Sequence, residues 1–600
     1  MTAVKSLVAA VLAAACGLLQ AEEIDTYELK PDLVVTPSRM TEALDRTLGS
    51  VSVITREDIE LSVAEDLFEL LRLQPGVDIV RTGGAGTQTS VFLRGSNSNH
   101  VLVLIDGVRV SSANTGAYAW EQLPLNQIER IEIVRGPRGS LYGSDSIGGV
   151  IHVFTRGRPD PYARATAGSF GTAEFEGGLG YEGERSRLSV NAGYRDVDGY
   201  SAQNPNGFSF HPDDDGYEAA SLGIKGATEA DYGDWRYSLL AIDNESEFDQ
   251  GHSRARQLVA SASFLGRFSP DWDYEVTAGY IGDELFTDFE FFTTDFDSQR
   301  FELGLQNHVA AGANGQASFG LDYSDENGWS EGSWDEDRNN LGLFGLYDHR
   351  LDRLHLQVAG RLDDNSRFGT EFTGQVATGY EFGAGWQLMA SYGSAFRGPN
   401  LSEQFSPGFG GLFAGNPDLD PESSVSAEVG VRWNHDTAGQ LAAALYRTDV
   451  DDLIAFNGLN FQAVNIAEAR LEGLEIEYAL IRAGWQLDAN LTLQDTEDLG
   501  TGDDLLRRPE EKAAVRIDRR FANGSWLGLE WFYSGDRMDF GGIPLASYQL
   551  INLRAGWLFQ PAWRLELRGE NLTDEYYEPA YGFDGAGRSW FVSLAWMPGG

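Results

Sequence analysis

The chain is 600 residues long and carries 91 Asp and Glu against 45 Lys and Arg, a formal net charge of −46. Such a balance opposes nucleic-acid binding, which needs a basic footprint, and a single cysteine, Cys16, excludes a disulfide scaffold and Cys-based zinc or iron–sulfur sites. With 71 Gly, 12% aromatic residues and a mean hydropathy of −0.30, the chain reads as a turn-rich β protein: a polytopic helical membrane protein is excluded, but not a β-barrel, whose strands meet lipid only at every second residue.

Residues 1–21 read as an export signal. Lys5 supplies the positive start, residues 7–15 the apolar stretch, and Leu19-Gln20-Ala21 a cleavage site before Glu22. The apolar run is shorter than the about 20 residues a membrane helix needs. From residue 38 to 157, short strand-like runs such as Val51-Ser52-Val53-Ile54 and Val101-Leu102-Val103-Leu104-Ile105 alternate with closely spaced glycines. Between them the spacing predicts a helix from Val63 to Leu73, with Ser62 as N-cap and Glu65 completing a capping box. These mixed elements imply a compact α+β domain.

From residue 158 to 600 the period changes to two. Trp485, Leu487, Ala489, Leu491 and Leu493 alternate with Gln486, Asp488, Asn490 and Thr492, and Trp590, Val592, Leu594 and Trp596 alternate with Phe591, Ser593 and Ala595. Soluble sandwiches alternate too. Repetition over 443 residues behind an export signal favours an all-β transmembrane fold: an antiparallel barrel of about 22 strands, the size that leaves room for a plug in the lumen. Stretches rich in Asp, Gly and Asn at 196–217, 243–253, 283–299 and 324–340 are the expected long loops.

Three blocks resemble a known family. They are FLRGSNSNHVLVLIDGVRV (92–110) with RIEIVRGPRGSLYGSDSIGGVIHVF (130–154), FRGPN (396–400) with NPDLDPE (416–422), and RGENLTDEYY (568–577). The chain is similar over nearly its whole length to TonB-dependent outer-membrane receptors, and within that group most resembles the vitamin B12 (cobalamin) transporters. The resemblance implies a plug domain over 38–157, a barrel over 158–600, and residence in the bacterial outer membrane among lipid and lipopolysaccharide. It also implies a monomer that couples to TonB with ExbB and ExbD and imports cobalamin without catalysis or an organic cofactor. Asp32-Leu33-Val34-Val35-Thr36-Pro37 resembles the TonB box, a short segment able to add to a partner's sheet edge.

Carried over by position, Gln88, Ser90, Asn97, Thr115 and Gly116 on the plug and Arg507 on the wall would meet the cargo. Asp213, Asp215 and Asp249, with Phe248, match a calcium site in the external loops. Calcium wants six to eight oxygens, and here Ser201 stands where a carboxylate is expected. Arg135 and Arg138 would pair with acids of the barrel wall. The Gly-rich run 135–149 lacks the Lys-Ser/Thr ending of a phosphate loop, and no Ser/His/Asp arrangement or Cys nucleophile presents itself. The alternatives are a ferric-siderophore or haem receptor of the same architecture, and an adhesin or phage-docking barrel, which would need neither plug nor TonB box.

Overall fold

A lipid-facing strand shows one apolar face and hides the other. In the last long strand, Ser589–Trp596, the side chains of Trp590, Val592 and Leu594 are exposed while Ser589, Phe591, Ser593 and Ala595 are buried. The computed structural model describes residues 34–35, 39, 42–289, 291–408, 412–457 and 461–598. It closes 22 long strands into one antiparallel barrel, each paired with its sequence neighbour and Tyr162–Gly168 paired back to Ser589–Trp596. Closure leaves no sheet edge to solvate. Among the described residues no helix is long and apolar enough to cross a membrane.

Trp235, Trp272, Trp386, Trp433 and Trp563 sit beside the short turns at the end where the chain enters and leaves the barrel. There the rings of Trp386 and Trp433 stack at 5.7 Å. An aromatic girdle of this kind marks a membrane–water boundary. Connections 201–214, 499–510, 535–547 and 571–588 lie at the far end.

Several strands are much longer than a bilayer requires. Gly251–Ser269 and Phe292–Ala310 have 19 residues each, where about 9–11 tilted residues span the membrane. Three of the four expected loops are therefore strand. Pairing continues to Phe248 opposite Gly251, Phe289 opposite Phe292 and Ser330 opposite Trp334, leaving only tight turns. Above the lipid belt the outer face meets water in place of lipid and the inner face carries polar residues such as Ser298 and Glu326, so the apolar alternation vanishes and the segments read as loops. Only 196–217 contains a long connection.

Inside the barrel, a five-stranded sheet runs in the order Val51–Thr55, Ile128–Arg135, Gly149–Thr155, Val101–Ile105, Val108–Arg109, with the Val101–Ile105 and Gly149–Thr155 pair parallel. Its core, including Val103, Ile131, Ile133 and Ile151, is continuous with Leu240, Ile242, Val259 and Ile281 of the wall. The expected helix from Val63 to Leu73 is instead two. Ser62 ends Arg56–Ser62, which Thr55 opens in a capping box with Asp58, and Val63 breaks the chain with φ +50°. Leu67–Leu71 follows, capped by Asp66. The apolar spacing ran through the break because Leu61, Val63, Leu67, Leu70 and Leu71 are all buried. The last plug strand ends at Thr155 and the first barrel strand begins at Tyr162. Val34–Val35 pair antiparallel with Glu42–Ala43; the export signal and Asp32, Leu33, Thr36 and Pro37 lie outside the described residues.

Candidate functional site

Three turns of small polar residues build the far-end face of the plug, at 82–90, 94–100 and 111–118. Val91 N donates to Ser98 Oγ at 3.3 Å, and a Cβ on Gly116 would sit 3.5 Å from that of Asn99, so the turns share one face. The wall fixes them. Ala113 N donates to Ser298 Oγ (2.8 Å), Trp334 Nε1 to Asn114 Oδ1 (3.0 Å) and Asn400 Nδ2 to Thr115 O (2.9 Å). Gly86, at φ +73°, lies so close to Tyr217 that a Cβ would come within 2.0 Å of the ring. Only glycine takes that conformation and that contact together.

On this face Gln88 and Thr115 are exposed, and Ser90, Asn97 and Gly116 half-buried. All five are uncharged. Arg507 is turned to other work: its Nε donates to Asp539 Oδ1 at 2.7 Å and its backbone N to Met538 O at 2.6 Å. Its neighbour Arg508 reaches the plug. Arg508 donates from Nη2 to Asn97 Oδ1 (2.8 Å) and from Nε to Gly95 O (3.1 Å), with its guanidinium 3.9 Å over the Phe92 ring. Of the two adjacent arginines it is Arg508 that meets the plug; a loop has no period to say which of the two turns inward.

Asp213, Asp215, Phe248 and Asp249, expected from the resemblance to form a calcium site, lie near one another at the far ends of two strands. His211 donates from its backbone N to Asp249 Oδ1 (2.5 Å) and pairs through Nδ1 with Asp213 Oδ1 (2.7 Å), and Asp215 Oδ2 accepts from Ala202 N (2.7 Å). Ser201 donates to His211 O at 3.2 Å. Phe248 packs its ring 5.5 Å from that of Phe289. Among the described residues no group of three or more His, Cys, Asp or Glu is arranged to hold a metal. One feature does fit a cation: Asp249 is 3% exposed, and its Oδ2 is buried without a hydrogen-bond partner among the described residues.

Below the face, buried ion pairs hold the plug to the wall. Arg94 meets Glu428 at 2.6 Å and Glu475 at 2.9 Å, and Arg135 meets Glu477 at 2.5 Å. Arg138 lies against Gly49, within the field of Glu428. Pairs of this kind fix position, because separating one leaves a buried charge uncompensated.

A plug filling a 22-stranded barrel, with a short extended segment ahead of it, defines a class of transport receptor. The family model for the TonB-dependent receptor-like β-barrel matches residues 155–572, and that for the TonB-dependent receptor plug domain matches residues 43–150. The chain belongs to the TonB-dependent receptors, which reside in the outer membrane, bind cargo and interact with TonB. Among solved structures it is similar to the ferric-catecholate import receptor Fiu from E. coli, at TM-score 0.78 and 14% identity over 92% of this chain and 97% of that one. It is likewise similar to FpvA from P. aeruginosa bound to a heterologous pyoverdine, at TM-score 0.79 and 16% identity over 94% and 88%. The siderophore receptor PirA from Acinetobacter baumannii matches at TM-score 0.76 and 16% identity over 92% and 99%. At these identities the likeness is one of fold.

Proposed function

We propose that this receptor imports cobalamin across the outer membrane. The observation that carries the reading is the uncharged, amide- and hydroxyl-bearing floor of Gln88, Ser90, Asn97 and Thr115. Cobalamin offers a rim of neutral amides, which such a floor satisfies by hydrogen bonds. An anionic ferric chelate calls instead for unpaired Arg or Lys. Here Arg507 is paired with Asp539 and Arg508 is bound to the plug.

Cargo bound on the floor bears on turns that continue into the plug sheet, and so favours release of the segment around Val34–Val35 to TonB. The TonB–ExbB–ExbD assembly then supplies the work, since import against a gradient needs an energy source. Calcium drawn to Asp249 Oδ2, unpartnered among the described residues, would have to gather Asp213 and Asp215, which as they stand form no ligand set, and would then neutralise the acidic turns and stiffen the rim.

A second reading, import of a ferric siderophore, draws support from the solved relatives, whose named cargoes are iron chelates. Uptake of labelled cyanocobalamin by cells lacking their own receptor separates the two. The proposal expects uptake that requires TonB, with Val34→Pro abolishing uptake while leaving binding intact. Uptake of a ferric catecholate but not of cyanocobalamin would overturn it.

A further inference from the structure

Between the plug and the wall strands from Asp215–Ala230 round to Leu354–Asn365 runs a cavity of about 700 Å³. Its lining extends from Glu275, three residues above the turn-side Trp272, to Phe368 in the far-end turn at 366–368. It therefore follows the plug through most of the barrel's depth.

The charges around the plug are distributed unequally. On the cavity side the wall pairs chiefly with itself. Glu326 is shared by Arg300 (2.9 Å from Nε) and Arg338, and Arg361 holds both Asp363 (2.8 Å) and Asp322 (2.6 Å). The plug's own ion pairs here are few, Asp106 with Lys225 at 2.5 Å and Arg109 with Glu302 at 3.9 Å. The rest of the seam is neutral, with Val108 against Gly279, the plug core against Leu240, Ile242, Val259 and Ile281, and hydrogen bonds such as Ala113 N to Ser298 Oγ and Arg300 Nη1 to Ser111 O. On the opposite side the wall charges pair with the plug. Besides Arg94 and Arg135, Asp58 meets Arg516 (3.2 Å), Glu69 meets Arg568 (3.2 Å) and Asp78 meets Lys512 (3.5 Å).

Moving the plug off the cavity side would leave most of the wall's charges still paired; on the other side Arg516 and Arg568 would keep Asp488 and Glu570, but Glu428, Glu475 and Lys512 would part from Arg94, Arg135 and Asp78. The leader points the same way. Arg39, four residues beyond Val35, lies in the cavity with its guanidinium 3.0 Å from Asp322, and its carbonyl accepts from Gln306 at 2.7 Å. A pull on Val34–Val35 reaches Arg39 next, and Asp322 keeps Arg361 when Arg39 leaves.

We propose that this cavity is the transit path. Cargo descends between the Val108–Arg109 edge of the plug and the wall strands from Gly233 to Asn365, while the plug stays fastened to the wall between Glu422 and Glu570. The path rests on the TonB-dependent class and not on which cargo is carried, so its test uses none.

Apart from Cys16 the chain has no cysteine, so paired cysteines can tether either side. A Cβ on Gly279 lies 3.5 Å from that of Val108, and one on Gly95 lies 3.6 Å from that of Thr496, both near the separation a disulfide bridges. The full-length protein is reconstituted in planar bilayers, and ion current is measured as urea loosens the plug. Oxidising V108C/G279C is expected to cut the urea-induced current about tenfold and dithiothreitol to restore it, with oxidised G95C/T496C within about twofold of its reduced form. Current lost on tethering the Gly95 side but kept on tethering the Val108 side, or kept under both tethers, overturns the proposal. Gly95 has φ +77°, and a cysteine there can impair folding, so hydrogen exchange of the unmodified protein gives an independent check. Amides of Val108–Arg109 should lose protection at lower urea than those of Val77–Arg81; the reverse order also overturns it.

Discussion

Two adjacent arginines, Arg507 and Arg508, carry opposite duties at the edge of the plug. Arg508 spans plug and wall through Asn97 and Gly95 and covers Phe92, whereas Arg507 ties its loop to the neighbouring wall connection 535–547 through Asp539. Arg508→Ala should weaken cargo binding about tenfold through the loosened Asn97 turn, with Arg507→Ala within about twofold of the parent; equilibrium binding to the purified protein checks both. Glu121 gives a second test. Its carboxylate accepts from Thr89 N at 3.1 Å, and burial pushes it from its ordinary 4.5 up to about 7. Between those values the folded plug holds a proton that the unfolded chain has released. This contribution to stability is therefore complete below pH 4.5 and is lost as pH rises through 7. Glu121→Gln should flatten that slope, read as the urea midpoint of the plug at pH 5 and pH 8. The sequence showed where the polar turns lie, because glycine-rich runs are visible. It could not show Arg508 or Glu121, whose roles depend on contacts made across the chain.

Among the elements, the local rules were legible and their limits were not. Asp66 opens the helix Leu67–Leu71 by accepting from Glu69 N at 3.2 Å, and it also pairs with Arg81. Asp66→Ala should cost about 1–2 kcal/mol, the upper part of the range for a lost cap, seen as a lower thermal midpoint of the plug with the barrel transition unchanged. Helical spacing could be read from the sequence around Leu61–Leu71, but the left-handed turn at Val63 could not, since nothing in a buried valine signals positive φ. The strand extensions at 283–299 and 324–340 were hidden for a different reason. Outside the membrane their outer face meets water in place of lipid, and paired polar residues such as Gln299 opposite Asn327 carry no alternating signal. The barrel strands within the lipid belt were legible because lipid on one side and lumen on the other enforce the period.

At the scale of the whole molecule, a plug held by buried charges inside a closed barrel must combine firm seating with removal on demand. Arg94 is central to the seating. Arg94→Ala would leave Glu428 and Glu475 buried without this partner and should lower plug stability by about 3–5 kcal/mol, measured by limited proteolysis of the plug in the intact barrel; Arg94→Lys should recover only part, because the fork to two carboxylates is lost. Plug and barrel were legible together, because each carries its own periodicity or motif. The proposed cargo rests on resemblance and on the floor's chemistry, since a floor of five uncharged residues drawn from three turns has no sequence signature of its own. Whether this floor binds cobalamin is decided by equilibrium titration of the detergent-purified protein with cyanocobalamin and with a ferric catecholate. Saturable cyanocobalamin binding, micromolar or tighter (about −8 kcal/mol), with little affinity for the catecholate, is the predicted result; the opposite preference would contradict it.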